Sequence, residues 1–353
     1  MLRLERYITQ SVLWAILLVL MVVVGLDAVS ALVDEAEDSS ETYGFAQIGY
    51  YILLTMPDRF YEFIGPAALV GCMLGLGNLA SSSELVVMRA AGVSTARLTW
   101  IAMKPAFIVA ALGFVIGEYV APRSEQAAQT YRALAQQKPG GYASDGGVWN
   151  REGNTFLNFN AVEKQGIAHG LVLFQFDEKG ELQSALRANR AEFRGDHWMM
   201  ESVQRTTFSS WETQRTRHKT LRWNTAITPD LLSIEMVMPE QLSIADLYRY
   251  SNYLAGQGQD SDDYQLALWK KLLQPLAVSG LVLVAISFIF GPLRDGTMGF
   301  RIFAGVVVGI TFRTLQDLLG PASLVFGFSP LYAALVPIAV CVAAGFLLLS
   351  RAR

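Results

Sequence analysis

The chain has 353 residues, is 52% hydrophobic and only 17% charged, and has a mean hydropathy of +0.32 and a net charge of −3. Soluble domains carry charge on about a quarter of their residues, so this composition excludes an ordinary soluble protein. The acidic balance excludes a basic nucleic-acid binder. Cys72 and Cys341 both sit inside apolar runs and form neither a CxxC motif nor a disulfide framework.

Six segments approach the ~20 apolar residues needed to cross a bilayer. They lie near Val12–Val33, Phe60–Leu79, Ile101–Ala121, Leu272–Phe290, Ile302–Leu319 and Leu331–Leu349. The first follows Arg3 and Arg6 but is too long for a signal-peptide core and reads as a retained anchor. Next comes an acidic stretch, Asp34-Glu35-Ala36-Glu37-Asp38-Ser39-Ser40-Glu41, with no cation before Arg59.

After the second span, LGLGNLASSSELVVMRAAGVST runs from Leu74 to Thr95. It predicts a small-residue joint and then a short helix too polar for lipid. Ser81 or Ser82 can cap it, Glu84 suits its first turn, and Gly92 stops it. Val86, Val87 and Met88 give it an apolar side. By itself it is either a docking element for a partner or a loop lying on the membrane surface.

Short-loop cations set the orientation. One side carries Arg3, Arg6, Arg89, Arg97, Lys104, Arg294, Arg301, Arg351 and Arg353. The other has the acidic stretch and an uncharged last loop, Gly320 to Pro330. Both termini and the short helix are therefore expected in the cytoplasm.

A long polar insert, Pro122 to Lys271, falls on the opposite side. It opens with a helical extension of the third span from Glu125. From Gly140 it turns to short strands: Asn154–Asn160, Gly170–Phe176, Ala188–Phe193, His197–Val203, Thr206–Glu212 and Leu221–Ile227. Reversals at Asp177–Gly180 and Arg194–Asp196 predict an antiparallel sandwich or open barrel. Ser243 to Asp246 resembles a capping box, with Leu247, Tyr250 and Leu254 on one helix face, and Ser261 starts the helix that feeds the fourth span. The expected fold is a six-span α-helical membrane protein with an inserted all-β domain. Its expected parts are residues 1–121 with the short helix at about 81–94, residues 122–271, and residues 272–353.

No P-loop, H-E-x-x-H or G-x-S-x-G motif occurs, so the chain is not expected to bind nucleotide by a P-loop or to be an enzyme. His169, His197 and His218 lack metal spacing and read as solvated strand or turn residues. The informative charges are Asp27, Glu118, Arg313 and Asp317 within or at the ends of spans, costly unless paired or wetted. All fall in the outer half, with Asp58, Arg59 and Glu62. Arg313 can pair with Asp317 four residues on, or with Asp27 across the bundle. Alternatively, Arg59 and Arg313 face the anionic headgroup of an amphiphile. Asp27 and Asp317 lack the G-x-G-D context of an intramembrane protease dyad. Gly71, Gly75 and Gly77, with Gly305 and Gly309, permit close helix packing.

LGLGNLASSSELVVMRAAGVS resembles the stretch joining spans two and three of the lipopolysaccharide export permeases, the LptF/LptG family. IGEYVAPRSEQAAQTYRA, PEQLSIADLYRYSNYLAGQGQD, LALWKKLLQPLA and GPASLVFGFSP are similar to the family's other junctions, nearer its LptG type. The resemblance implies a non-catalytic permease with a periplasmic β-jellyroll in the inner membrane, paired with LptF. It implies a dimer of the ATPase LptB as driver, with ATP and Mg on that partner and no cofactor in this chain. It also implies LptC alongside and passage of lipopolysaccharide toward LptA. The helix after span two would dock on the ATPase through Glu84, with Leu85, Met88 and Arg89 around it. The family's cations near the outer end of span one are replaced here by Asp34 to Asp38, leaving Arg59, Arg313, Asp317 and Asp27 as the substrate-binding candidates. An acidic rim could still hold headgroups through divalent cations. The competing reading is a membrane-anchored scaffold or signal transducer.

Overall fold

The computed structural model describes residues 2–37, 39, 43–136, 148–163, 166–209, 211–225, 227–291 and 296–351. Asp38, Ser40 and Glu41 of the acidic stretch, residues 140–147 of the expected strand region, residue 226, Arg294 and Arg353 lie outside them.

Among the described residues, six helices are long and apolar enough to cross a membrane. They comprise α1 (Leu2–Glu37), α2 (Phe45–Ser81), a third built from α4 (Thr95–Val115) and α5 (Ala121–Ala135), and then α8 (Asp262–Phe290), α9 (Met298–Phe326) and α10 (Pro330–Arg351). A single π-helical turn, Ile116–Val120, joins α4 to α5. The short α3 (Glu84–Ala90) follows α2. Beyond the sheet, α6 (Pro229–Glu235), a 3₁₀ turn at Pro239–Gln241 and α7 (Ile244–Gly256) lead back to α8.

Every spanning helix outruns its apolar run, α2 chiefly at its start. It begins at Phe45, well before the expected Phe60, because Ile48, Tyr51 and Ile52 find tertiary cover. With Tyr43 they pack against Ala128 and Tyr131 of α5 in a separate apolar cluster. Length in lipid sets the apolar run, whereas contacts above the lipid set the helix.

α2 and α8 form the centre of the bundle. α1 and α4 pack together and flank one side, α9 and α10 the other. The α1–α2 approach depends on glycine: a Cβ on Gly71 would stand 2.4 Å from the Ile16 Cα, and one on Gly75 2.8 Å from the Val12 Cα. A Cβ on Gly305 would meet the Met73 Sδ at 2.8 Å, a softer limit because a methionine side chain can shift where backbone cannot. These glycines serve packing within the chain.

Between the third and fourth spans lies one antiparallel sheet with strand order β1-β2-β4-β5-β6-β7, β3 pairing with β4. The strands are β1 (Val148–Glu152), β2 (Thr155–Phe159), β3 (Ala161–Glu163), β4 (Ile167–Phe176), β5 (Leu182–Phe193), β6 (Trp198–Phe208) and β7 (Thr213–Trp223). Among the described residues β1 and β7 are free edges, so the sheet is open and unclosed. The two expected strands His197–Val203 and Thr206–Glu212 are largely one strand, β6. Its hydrophobic pattern breaks at Ser202, whose φ of 55° flips the alternation. β7 was missed over most of its length because TQRTRHKT is polar on both faces. It is an exposed edge strand rich in cations, which discourage pairing with another chain.

One sheet face is the core: Leu157, Leu171, Leu173, Ala188 and Val203, closed by Ile227 and Leu232. The buried Trp198 indole donates to the Ile227 carbonyl at 2.8 Å, fixing the exit from the sheet. The return segment has its own core of Ile234, Val237, Leu242, Leu247, Tyr250 and Leu254. As expected, Ser243 caps α7. It accepts from the Asp246 amide at 3.1 Å and donates to the Asp246 carboxylate at 2.6 Å.

Candidate functional site

The six spans are not equally covered. In their most apolar windows α2 and α8 are each 61% buried within the chain, whereas α1 is 22% and α9 17%. α1 exposes Trp14, Leu18, Met21 and Leu26, and α9 exposes Phe303, Ile310 and Leu318. α1 and α9 lie on either side of α2, so the least-covered face of the bundle has α2 as its floor.

On that face the outer-half charges meet. Arg59 of α2 bonds to Asp27 of α1, and its Nε donates to the Thr55 hydroxyl at 3.1 Å. Arg313 of α9 donates to Glu62 of α2 at 2.6 Å and lies 3.7 Å from Asp317 on its own helix. The intrahelical pair is therefore the longer contact. The expected Arg313–Asp27 alternative is replaced by two crossings that both end on α2, because Arg59 lies between them. The two cations differ in access. The Arg313 side chain is 52% exposed and the Arg59 side chain 19%. A polar cavity of about 360 Å³ adjoins Arg59 and Asp27, lined also by Tyr51, Asp58, Glu125 and Arg132. A second, of about 220 Å³, lies between Glu62, Lys270, Gln274 and Arg313.

Two of the outer-half carboxylates do a different job. Glu118, on the π turn, accepts from the Ile244 amide at the start of α7 at 2.8 Å. Asp58 accepts from Gln241 at 2.9 Å. Lys271 donates to the Leu242 carbonyl and stands 5.3 Å from the Tyr61 ring centre. The return from the sheet, residues 241–244, is thus fastened to three spans by polar contacts, two half-buried and one buried. Gly117 of the π turn permits this, since a Cβ there would meet the Tyr61 ring at 2.3 Å. The sequence groups Asp58 and Glu118 toward the same end of the bundle, and the structure sets both against residues 241–244. Sequence reasoning missed their partners, which are a backbone amide and a glutamine far along the chain.

A related contact lies where sheet and return segment meet. Glu235 accepts from Asn150 of β1 at 2.6 Å and from the Tyr250 hydroxyl of α7, both on Oε1. Its Oε2 has no hydrogen-bond partner among the described residues. Burial pushes the Glu235 carboxyl up to about 7, against the two donors, which favour the ion.

At the other end of the bundle, α3 is joined to α2 by a tight corner. Ser83, not Ser81 or Ser82, is the residue before the helix, in left-handed backbone (φ 63°) with no side-chain cap. Ser81 and Ser82 instead finish α2, each donating to the Asn78 carbonyl at 2.8 and 3.2 Å. Glu84 accepts from Ser82 at 2.9 Å and Tyr7 at 3.4 Å. Gly92 ends the helix as expected (φ 89°), with the Val93 amide reaching back to Met88 at 3.1 Å. Leu85 is buried in the main core and Met88 packs against it, while Val86, Val87 and Arg89 face outward. Arg301, expected among the surface cations, is buried and donates to the Gly77 carbonyl at 2.7 Å, tying α9 to the end of α2.

His169 pairs with Glu163 at 2.7 Å and His197 with Asp196 at 2.5 Å on the sheet. Among the described residues no group of three or more His, Cys, Asp or Glu is arranged to hold a metal ion.

The family model described as lipopolysaccharide export system permease LptF/LptG matches residues 6–351. The chain belongs to that family. Among curated relatives it is 37% identical to the lipopolysaccharide export system permease protein LptG of Escherichia coli K12, over 95% of this chain and 94% of that protein. It is 35% identical to the LptG of Haemophilus influenzae Rd, over 99% of each chain. The LptF/LptG match spans α1, the open sheet and α10 alike, so the whole architecture is the family's.

Proposed function

We propose that this chain is a permease subunit of a lipopolysaccharide exporter, and that it performs no chemistry of its own. It sits in the inner membrane with both termini cytoplasmic and the sheet in the periplasm, as the loop cations require. The carrying observation is the least-covered face between α1 and α9, which carries two cations, Arg59 of α2 and Arg313 of α9, within a family that exports lipopolysaccharide. A second permease of the LptF type completes the cavity against this face. The headgroup of lipopolysaccharide is anionic, and Arg313 is the cation it reaches first. Glu62 and Asp317 hold Arg313 in place until phosphate displaces them, while Arg59 stays braced by Asp27 deeper in the wall. Charge-assisted guanidinium–phosphate contacts supply the grip.

Drive enters at α3. A dimeric ATPase of the LptB type binds and hydrolyses Mg-ATP and docks on this helix, with Glu84 as the ionic contact and Val86, Val87 and Arg89 beside it. Leu85 and Met88 transmit the push, because they are embedded in the core that contains Leu76 and Leu79 of α2. From Arg59 to Ser81 α2 is one helix, about 33 Å long at 1.5 Å per residue. Displacing α3 therefore moves the floor to which both ion pairs are attached. Extracted lipid passes to the sheet and onward through LptC and LptA.

The test is Glu84→Ala in the reconstituted complex. Loss of ATPase copurification and of lipopolysaccharide-stimulated ATP hydrolysis is expected. An ATPase that stays bound and stimulated without this carboxylate would overturn the docking assignment, and copurification with no ATPase at all would favour a scaffold.

A further inference from the structure

Opposite the least-covered face, α4 and α10 part above α8 and leave an apolar groove of about 530 Å³. Its walls are Trp100, Phe107, Leu276, Leu283, Val342 and Phe346. We propose that this groove is a resident phospholipid site, holding one acyl chain of a phospholipid from the leaflet on the side of the chain termini.

Three observations select that occupant. The groove is closed to polar ligands: Thr99, Ser279 and Ser350 line it, but each hydroxyl donates to its own helix, to Thr95, Pro275 and Leu347 at 2.9, 2.8 and 2.8 Å. Each lining hydroxyl has already given its proton within its own helix, and the rest of the wall is apolar, which suits hydrocarbon. Its depth is that of one leaflet. The α4 wall runs from Ala96 to Phe107, about 17 Å at 1.5 Å per residue, against a half-bilayer of about 15 Å. The groove reaches the end of the bundle that carries α3 and Arg351, an exposed cation next to Ser350 that suits a lipid phosphate.

The same depth argues against the transported lipid as occupant. The ion pairs assigned to cargo sit at the other end of the bundle and on the other face. Naming the leaflet cytoplasmic rests on the proposed orientation, whereas occupancy by a phospholipid does not. Wedged between α4 and α10 on α8, the chain acts as a seventh packing element, filling a gap that no side chain reaches.

The experiment uses the full chain in its permease–ATPase complex, in nanodiscs containing a phosphatidylethanolamine with a diazirine on one acyl chain. Crosslinks are expected to concentrate on residues 96–107 and 342–350, at least fivefold above those on Val336 and Val340, which α10 exposes beyond the groove. Native mass spectrometry should retain one phospholipid per chain. Ser279→Phe, which fills the groove, should lower both signals at least fivefold. Should it fail to fold, Phe346→Ala, which widens the groove, should lower lipid retention instead. Equal labelling of the groove and of Val336 and Val340, lipid retention unchanged by these substitutions, or capture of lipopolysaccharide or of a protein helix by a photoreactive residue at Phe346 would each overturn the proposal. Ser350→Cys with a membrane-impermeant thiol reagent tests orientation separately. Labelling from the periplasm would overturn the leaflet while leaving the lipid in place.

Discussion

The Glu118 carboxylate accepts the Ile244 backbone N–H at 2.8 Å, joining the π turn of the third span to the first turn of α7. A membrane-embedded acid is thereby used to hold down the return from a β domain. The first amides of a helix lack intrahelical acceptors, and a carboxylate satisfies one of them at the positive end of the dipole.

Glu118→Ala should therefore loosen this junction. The Ile244 amide should exchange with deuterium faster, by roughly tenfold to a hundredfold, for a lost charge-assisted bond of about 1.5–3 kcal/mol. Glu118→Gln keeps an acceptor and should show a smaller change. Equal exchange in all three proteins would remove the anchoring role.

Glu235 makes the contact between β1 and α7 depend on pH. Its carboxyl titrates near 7 in the fold and at its ordinary value near 4.5 when opened. The opened state releases its proton first, so the contact is most stable below pH 4.5. It weakens as pH rises to 7, by at most about tenfold in the opening equilibrium per pH unit, and is level above 7. Glu152 and the hydroxyls of Tyr253 and Tyr264 lie in the same cluster, and the Tyr250 hydroxyl, which donates to Glu235, favours its ionisation without offsetting burial. Glu235→Gln, which can still accept from Asn150 and Tyr250, should abolish this slope in exchange of the β1 amides and protect them better at pH 8. A slope that survives in the variant would assign it elsewhere.

Gly71→Ala should force α1 off α2, since the added Cβ would stand 2.4 Å from the Ile16 Cα and backbone cannot yield cheaply. Thermal unfolding in detergent should show a loss of about 1–3 kcal/mol. Gly309→Ala, whose Cβ would meet Leu69 at an ordinary 3.6 Å, should be neutral or slightly stabilising. Similar losses in both would mean that the α1–α2 approach is not limiting.

How much of this could be read from residues alone varies with the range of the interactions. The spans are written as apolar runs. The cap at Ser243 and the stop at Gly92 were legible for the same reason, being local. The start of α2 was not, because Tyr51 and Ile52 are helical through contact with Ala128, far along the chain. β7 was hidden by being polar on both faces. At the site, the grouping of Arg59, Glu62 and Arg313 was visible, but their pairing was not. Whether Arg313 meets Asp27, Asp317 or Glu62 is set by the register of α9 on α2, which no spacing in one helix encodes. Leu85 and Met88 lie in the stretch singled out for docking, yet they face the protein's own core. The apolar residues that α3 presents outward are Val86 and Val87.

The central claim is that the outer end of the α1–α9 face, floored by α2, receives the anionic headgroup of lipopolysaccharide. Its most direct test is a photoreactive amino acid at Arg313 in the intact complex in cells, with one at Arg59 for comparison. Adducts with lipopolysaccharide are expected, stronger at the exposed Arg313 position and lost when Glu84→Ala uncouples the ATPase. Adducts with protein alone at both positions would contradict the account.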